Sequence, residues 1–374
     1  MRLRDLPGYL RDTALRILPH ATRTGLVRIG HPGPDDPVLL TGNFTLTVRR
    51  LRDTLAGQDA WLLCADSNGI NVWCAAGGGH LTHHDVISVI RTSGIEANVS
   101  HREIVLPQLC ATGVERRKIT EATGWAARWG PARLEDLPGF LDHRCRVRRG
   151  ERRMRFPLWE RTEMASMWAV PTLAIALPLL WWLAGVRVLA ATAIPLVVVA
   201  FVMFAILPYV SLRGARRWLT VGGAALGSAA LGVAILLALH AATGAALVAT
   251  CVLDLFWALL LSVDLEGSTP WYRSYINTFH NSAHIELVES KCDGSADCVL
   301  VCPSDVLQMD GPRRKVRIER PDQCIQCGAC IVQCPTDALR FRYEDGTVVE
   351  APTIRSTRMN LLGKRRKIPV ETPS

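Results

Sequence analysis

Four cysteines near the end of the chain, Cys324, Cys327, Cys330 and Cys334, are spaced C-x2-C-x2-C-x3-C and followed by Pro335. Thiolates at these offsets hold cubane iron–sulfur clusters. Three of them on one tight loop reach three irons of one cube, and the fourth, before proline, is aimed at the other cluster. An imperfect copy precedes this run. Cys292, Cys298 and Cys302 occupy its first, third and fourth positions, Pro303 follows, and Ser295 stands at the second. Exchange of the fourth ligands gives two sets. Cys324, Cys327, Cys330 and Cys302 complete a 4Fe–4S cluster. Cys292, Cys298 and Cys334 leave one corner to Ser295, water or nothing. That site would hold a 3Fe–4S cluster or a labile 4Fe–4S cluster; an empty, vestigial site is the plain alternative. A zinc module fits less well, because zinc knots seldom use a four-cysteine run ending in proline.

A second constellation lies far upstream. Asn71, Val72, Trp73, Cys74, Ala75, Ala76 and Gly77 run into Gly78 and Gly79. Cys74 offers a soft thiolate, and the small residues after it let backbone press against a flat, bulky group. An ordinary buried cysteine beside a glycine-rich loop is the competing reading. No G-x-G-x-x-G is present, which argues against a dinucleotide site. His80, His83 and His84 follow, and a solvated helix start accounts for them most simply.

The elements that must position these residues differ sharply along the chain. Residues 30–140 alternate strand and helix patterns. Strands are predicted over 38–41, 61–65 and 103–107, a helix carries Phe44, Val48, Leu51 and Leu55, and another covers 85–92. This is a Rossmann-like α/β domain with a mostly parallel sheet, and the Asn71–Gly77 segment falls at its ligand-binding edge. From about residue 166 to 263 acids nearly vanish. Segments 168–185, 188–212, 219–241 and 243–263 each approach or exceed the ~20 residues that cross a bilayer. They predict a four-helix transmembrane domain, with a buried soluble bundle as the alternative. Small residues crowd the third, from Gly222 to Ala230, which suits close helix packing in lipid.

The expected organisation is an α/β domain over 1–145, a basic linker over 146–165 and the transmembrane domain over 166–263. A second linker covers 264–286, a small α+β cluster domain 287–345, and a basic tail 346–374. Eight arginines from Arg144 to Arg161 precede the first span, and Arg213, Arg216 and Arg217 separate the second and third. Both groups read as cytoplasmic. An even number of spans then places both termini and both redox domains on the cytoplasmic side of the inner membrane. Asp254 is the one acid inside a span, and either a functional or a packed, hydrogen-bonded role fits it. The chain of 374 residues is 49% hydrophobic with a formal charge of +9. Membrane lipid, not nucleic acid, is the partner read for that charge, with Lys364–Lys367 meeting anionic headgroups. Seven of the 12 cysteines lie in the cluster region, which fits a reducing compartment. No cleavable signal peptide is read at Met1–Asp5.

Several segments together resemble a known family. Asn71–Gly77 is similar to the cap-helix signature of the corrinoid protein of microbial mercury methylation. Thr41–Thr47, Ser100–Leu109 and Arg155–Leu158 also resemble it, as does a membrane domain ending near Gly267–Pro270. The resemblance covers roughly residues 20–270, and the remainder resembles that protein's partner, a two-cluster bacterial-type ferredoxin. It implies a fusion of the two. It also implies a corrinoid held beneath the cap helix with Cys74 as lower axial cobalt ligand and catalytic residue, and methyl transfer to Hg(II). The ferredoxin would re-reduce cobalt, and the methyl would come from a donor protein or methylated pterin. The chain departs from the pattern at Gly78, where lysine is expected, and at Cys110, where glycine is expected. It also has no cysteine pair after Cys334. The alternative is a membrane-bound ferredoxin-type electron-transfer protein whose α/β domain serves another C1 substrate or none.

Overall fold

The computed structural model describes residues 6–14, 16, 18–210, 215–264, 269–271, 283–359 and 365–367. Arg213, Lys364, Gly267, Ser268 and most of the linker over 264–286 lie outside the described residues. The chain divides into two compact units. One comprises Met1–Ile17 with Phe156–Thr269, the other Leu18–Arg155 with Pro270–Ser374. The α/β segment and the cysteine-rich segment therefore share a unit.

The apolar unit opens with helix α1 (Leu6–Ala14). In the other unit come β1 (Gly25–Ile29), β2 (Val38–Gly42), α2 (Thr45–Thr54), β3 (Ala60–Ala65), α3 (Val72–Gly78), α4 (His83–Thr92), β4 (Glu103–Leu106), α5 (Arg116–Thr123), β5 (Ala126–Trp129) and α6 (Leu137–Asp142). The five strands form one sheet in the order β1-β3-β2-β4-β5. β2, β3, β4 and β5 run parallel, and β1 pairs antiparallel at the edge. Every residue of β2 and β3 is buried, so both sheet faces must be covered. Alternation along the strands sorts the side chains. Leu40 and Leu63 join α3, α4 and α5 in one core, while Leu39, Leu62 and Cys64 join α2 and α6 in the other. Cys64 is thus a core residue.

Three helices of the apolar unit are long and apolar enough to cross a membrane: α7 (Leu158–Ile206), α8 (Ala215–Ala238) and α9 (Gly244–Asp264). The four continuous helices expected from the sequence are described as three, because α7 spans two of the expected segments. It is not one rod. Gly185 breaks it with φ 76° and ψ 172°. Arg161, near its start, donates to the carbonyls of Phe204 and Ala205, near its end. An unbroken helix of 49 residues would be about 70 Å long, so this contact requires the chain to fold back at Gly185. The helix α1 joins this unit through Tyr9, whose hydroxyl donates to Glu163 at 2.9 Å.

The cysteine-rich segment is built from β6 (His284–Leu287), α10 (Asp297–Leu300), β7 (Leu307–Asp310), β8 (Lys315–Ile318), α11 (Ala329–Gln333), β9 (Leu339–Arg342), β10 (Val348–Val349), α12 (Ala351–Arg355), β11 (Thr357–Met359) and β12 (Arg365–Lys367). β9 is flanked by β10 and β6, β7 pairs with β8, and β11 with β12. An internal repeat is visible in the backbone. Ala296 and Gly328 adopt left-handed conformations before α10 and α11, and Asp305 and Asp337 do so after the two Cys-Pro pairs.

Candidate iron–sulfur and cap-helix sites

Each short helix is entered from a cysteine-bearing loop, and the loops face two cavities. Cys302, Cys324, Cys327 and Cys330 line the first, with Pro303, Val306, Ile285 and Phe341 among its walls. Cys292, Cys298 and Cys334 line the second, together with Ser295. The fold brings the cysteines together in the sets that ligand exchange predicts. Among the described residues no three His, Cys, Asp or Glu side chains converge on a single ion. Sulfurs spread around a cavity suit the corners of a cube better than one ion.

Electrostatics agree with that use. Burial pushes the Cys330 thiol well above its ordinary range, and Cys302, Cys327 and Cys324 push it further. Burial likewise raises Cys324 to about 12. Cys298 is raised by burial, then by Cys334 and Cys292. So many thiolates cannot be charged in an apolar hole unless cations join them. Backbone amides meet the sulfurs as well: Val306 N–H donates to Cys302 Sγ and Ala338 N–H to Cys334 Sγ, both at 3.2 Å. Such bonds tune the potential of a bound cluster.

The two second-position residues sit in opposite settings. Cys327 is 7% exposed and belongs to the same hydrophobic core as Trp73, Ala75 and Ala76 of α3. Ser295 is exposed. A missing thiolate at a solvent-facing corner predicts one labile iron. Ser295→Cys should raise the iron content and replace any three-iron EPR signal of air-exposed protein with four-iron behaviour. Unchanged spectrum and iron would refute the open corner.

The α/β segment and the cluster segment are clamped together. Gln333, buried between Cys330 and Cys334, donates its side-chain amide to the Ala111 and Val114 carbonyls at 2.8 and 2.7 Å. Its carbonyl oxygen accepts the Arg116 N–H at 3.2 Å. Arg116 also grips Asp297, at the start of α10, with bonds of 2.8 and 2.7 Å. The Met154 N–H donates to the Pro303 carbonyl at 2.8 Å. Val301, Ile325 and Ala329 continue the α/β core. Apart from Pro303, none of these docking residues was singled out from the sequence; a glutamine between two ligand cysteines gives no periodic signal.

The Asn71–Gly77 segment forms α3, at the carboxyl end of β3. Asn71 caps it by accepting the Cys74 N–H at 3.0 Å, and Gly79 ends it in a left-handed conformation with φ 85°. Val72, Trp73, Ala75 and Ala76 face the core, which leaves the Cys74 thiol exposed. Removing the cap as Asn71→Ala should cost about 1 kcal/mol, measurable by denaturation. Gly113 lets the turn over Gln108–Thr112 approach the helix, since a Cβ there would lie 2.3 Å from the Ala76 carbonyl oxygen.

The glycines after Cys74 do not serve as expected. A Cβ on Gly77 would meet Met359 at 3.3 Å, and one on Gly79 would meet Arg358 at 2.8 Å. They admit β11, not a flat cofactor. Unsatisfied polar groups lie elsewhere. Thr41 Oγ1, Gln108 Oε1, Thr112 Oγ1 and Trp129 Nε1 are buried without a hydrogen-bond partner among the described residues. All four lie at or just beyond the carboxyl ends of β2, β4 and β5, where ligands of parallel sheets bind. An exposed thiol on α3 and orphaned polar groups at the strand ends suit a large cofactor that carries a soft metal and hydrogen-bonding side groups.

His80 and His84 are exposed at the start of α4, as read, but His83 is buried. Burial, then Lys118, then His84 lower its pKa from 6.5 to about 4, while Glu115 acts weakly the other way. The folded form therefore resists a proton that the unfolded chain accepts. Stability should be full above pH 6.5 and fall as pH drops toward 4, by a few kcal/mol. Denaturation at several pH values would show this fall, and His83→Gln should flatten it.

Comparison with known proteins bears on the α/β segment first. Residues 16–141 match the family CdhD, described as CO dehydrogenase/acetyl-CoA synthase delta subunit. Residues 284–350 match a 4Fe–4S dicluster domain. The acetyl-CoA decarbonylase/synthase complex subunit gamma of Methanopyrus kandleri is 38% identical over 126 residues, covering 33% of this chain and 27% of that protein. Those of Archaeoglobus fulgidus and Methanocaldococcus jannaschii are 36% and 34% identical over 126 and 125 residues, again 33% of this chain and 26% and 25% of theirs. The chain spans about a quarter of the length of these relatives. They overturn the resemblance to the mercury-methylation family: the similarity runs to CO dehydrogenase/acetyl-CoA synthase proteins, and nothing marks Hg(II) as an acceptor.

Proposed function

We propose that the chain is a membrane-anchored corrinoid methyl-transfer protein with its own iron–sulfur electron carrier. The observation that carries this reading is the shared core. Cys327, Ile325 and Ala329 pack with the residues that bury α3, so the exposed Cys74 thiol and the cluster cysteines belong to one unit. A bound corrinoid would supply a cobalt that accepts and gives up a methyl group. Cys74 would be a ligand to that cobalt, with Asn71 holding the first turn of α3 so that the thiol points outward. Gln108, Thr112 and Trp129 would bind its polar periphery.

Cys324, Cys327, Cys330 and Cys302 would hold a 4Fe–4S cluster facing the α/β segment. Cys292, Cys298 and Cys334 would hold the second cluster, its open corner at Ser295 turned to solvent. Electrons would enter from the Ser295 side and leave from the Cys327 side. The methyl donor would be a partner protein or a methylated pterin. The relatives are named as subunits of an acetyl-CoA decarbonylase/synthase complex, which supports protein partners here.

The membrane part of the proposal rests on α7, α8 and α9. Their outer faces expose Ile175, Trp182, Leu219 and Leu226 by roughly three-quarters, a surface that calls for lipid. With the reversal at Gly185, the three helices give four spans, both termini on the cytoplasmic side and Arg161 and Arg217 near that face. Alkaline phosphatase fused after Ser374 should be inactive; strong activity would mean an odd number of spans. The corrinoid assignment is tested by mixing the purified full chain with cobalamin. Co-elution with a spectrum shifted from the water-ligated form is expected. Failure to bind would favour the second reading, an electron-transfer protein whose α/β segment serves another substrate. The occupation of Gly77 and Gly79 by β11 favours that reading.

A further inference from the structure

Midway along the apolar helices, three polar side chains are buried together. Asp254 on α9 is 1% exposed, and Thr250, one turn earlier, and Ser228 on α8 are equally enclosed. Ser228 stands beside the carboxyl. Yet among the described residues neither carboxyl oxygen and neither hydroxyl reaches hydrogen-bonding geometry with a partner. A further oxygen comes from α7. The Ala191 carbonyl should accept the N–H four residues on, but that residue is Pro195, inside the helix and without an N–H.

Gly232 on α8 brings these groups to one place. A Cβ there would lie 2.5 Å from Thr250 Cγ2, 2.8 Å from the Ala191 carbonyl oxygen and 3.2 Å from Asp254 Oδ2. Two oxygens that both carry negative charge border the same small volume. Of the described arginines of these helices, Arg161 is engaged on the Phe204 and Ala205 carbonyls and Arg217 on Ser262, while Arg187 and Arg216 are exposed. A bare carboxylate in hydrocarbon is costly, and oxygens of like charge repel unless a positive charge stands between them.

We propose that Asp254, Ser228, Thr250 and the Ala191 carbonyl form a mid-membrane site for one exchangeable positive charge, a proton carried on the Asp254 carboxyl close to the Ala191 carbonyl. The inference rests on the membrane-spanning part of the function proposed above. Infrared difference spectra of the full chain in detergent, wild type against Asp254→Asn, test it. The wild type should show the C=O band of a protonated carboxylic acid that the variant lacks. That band should shift within minutes of transfer to D2O and persist in sodium chloride. Its loss in sodium chloride but not potassium chloride would keep the site and make sodium its ion. Absence of the band in both salts, or a band unmoved after hours in D2O, would overturn the proposal, the second result leaving a merely packed side chain.

Gly232→Ala keeps the carboxyl but drives a methyl among the oxygens. It should move the band or stop its exchange, and an unchanged band would remove the Ala191 carbonyl from the site. Partition of the protein into the aqueous phase of a cloud-point detergent would instead refute the membrane reading, independently of the infrared result.

Discussion

Cys74→Ala should bind cobalamin at least about 10-fold more weakly than the wild type and should lose the shift that a sulfur ligand imposes on its spectrum. The iron–sulfur absorption should stay intact. The expected size follows from the setting of the residue. Cys74 is exposed on α3 while Val72, Trp73, Ala75 and Ala76 carry the packing. Truncation there leaves no cavity, so stability should change by no more than about 0.5 kcal/mol. Loss of binding without loss of fold is therefore the signature of a ligand. Cys64 is the control. It is fully buried on β3, where burial raises its thiol to about 11. Cys64→Ala should cost about 1 kcal/mol of stability and leave the cobalt spectrum unaltered. If Cys74→Ala binds corrinoid with an unaltered spectrum, axial ligation by this thiol is excluded.

Cys327→Ala should have the largest effect on iron. The variant should lose roughly half of the bound iron, one cluster of two, and with it most of the reduced-state EPR signal. A second effect follows from position. Cys327 is buried in the core shared with α3, so removing it opens a hole at the junction as well as a corner of the cluster. The junction should loosen, and limited proteolysis between the α/β and cluster segments should speed up. Gln333→Ala separates the two effects. It removes the donors to Ala111 and Val114 but no sulfur, so proteolysis should quicken while iron is retained. A Cys327→Ala protein with wild-type iron and EPR signal would sink the ligand assignment.

The sequence was most legible where chemistry or periodicity is local. The cysteine spacing located both cavities, because backbone geometry ties those offsets to one loop and one short helix. The apolar runs of β2, β3 and β4 and the helical spacing of α2 were readable for the same reason. The edge strands were not. β1 carries Arg28 among its apolar residues, and β5 is four residues, Ala-Ala-Arg-Trp, too short for its in–out alternation to stand out in the sequence. The end of the first apolar segment at Gly185 was also readable, since glycine tolerates the positive φ found there.

What stayed hidden depends on distant residues. The run Gly77–Gly79 reads as space for a cofactor, yet Arg358 and Met359 take that space from far along the chain. His83 reads as a solvated helix start, but the neighbouring α5 and β11 bury it. The Gln333 clamp joins residues more than 200 positions apart, and no local pattern announces it. The gathering of Thr250, Asp254 and the Ala191 carbonyl around Gly232 joins three helices, and no local pattern shows it.

One measurement addresses the central claim, that a single chain carries both a corrinoid and its electron carrier. The full-length protein, produced with corrinoid supplied and purified without oxygen, should contain about one cobalt and roughly seven to eight iron atoms per chain. Reduction of the iron–sulfur centres should then be followed by reduction of the cobalt in the same molecules. Iron in that amount with no cobalt, under conditions where free corrinoid is abundant, would contradict the account and leave a ferredoxin-type electron carrier.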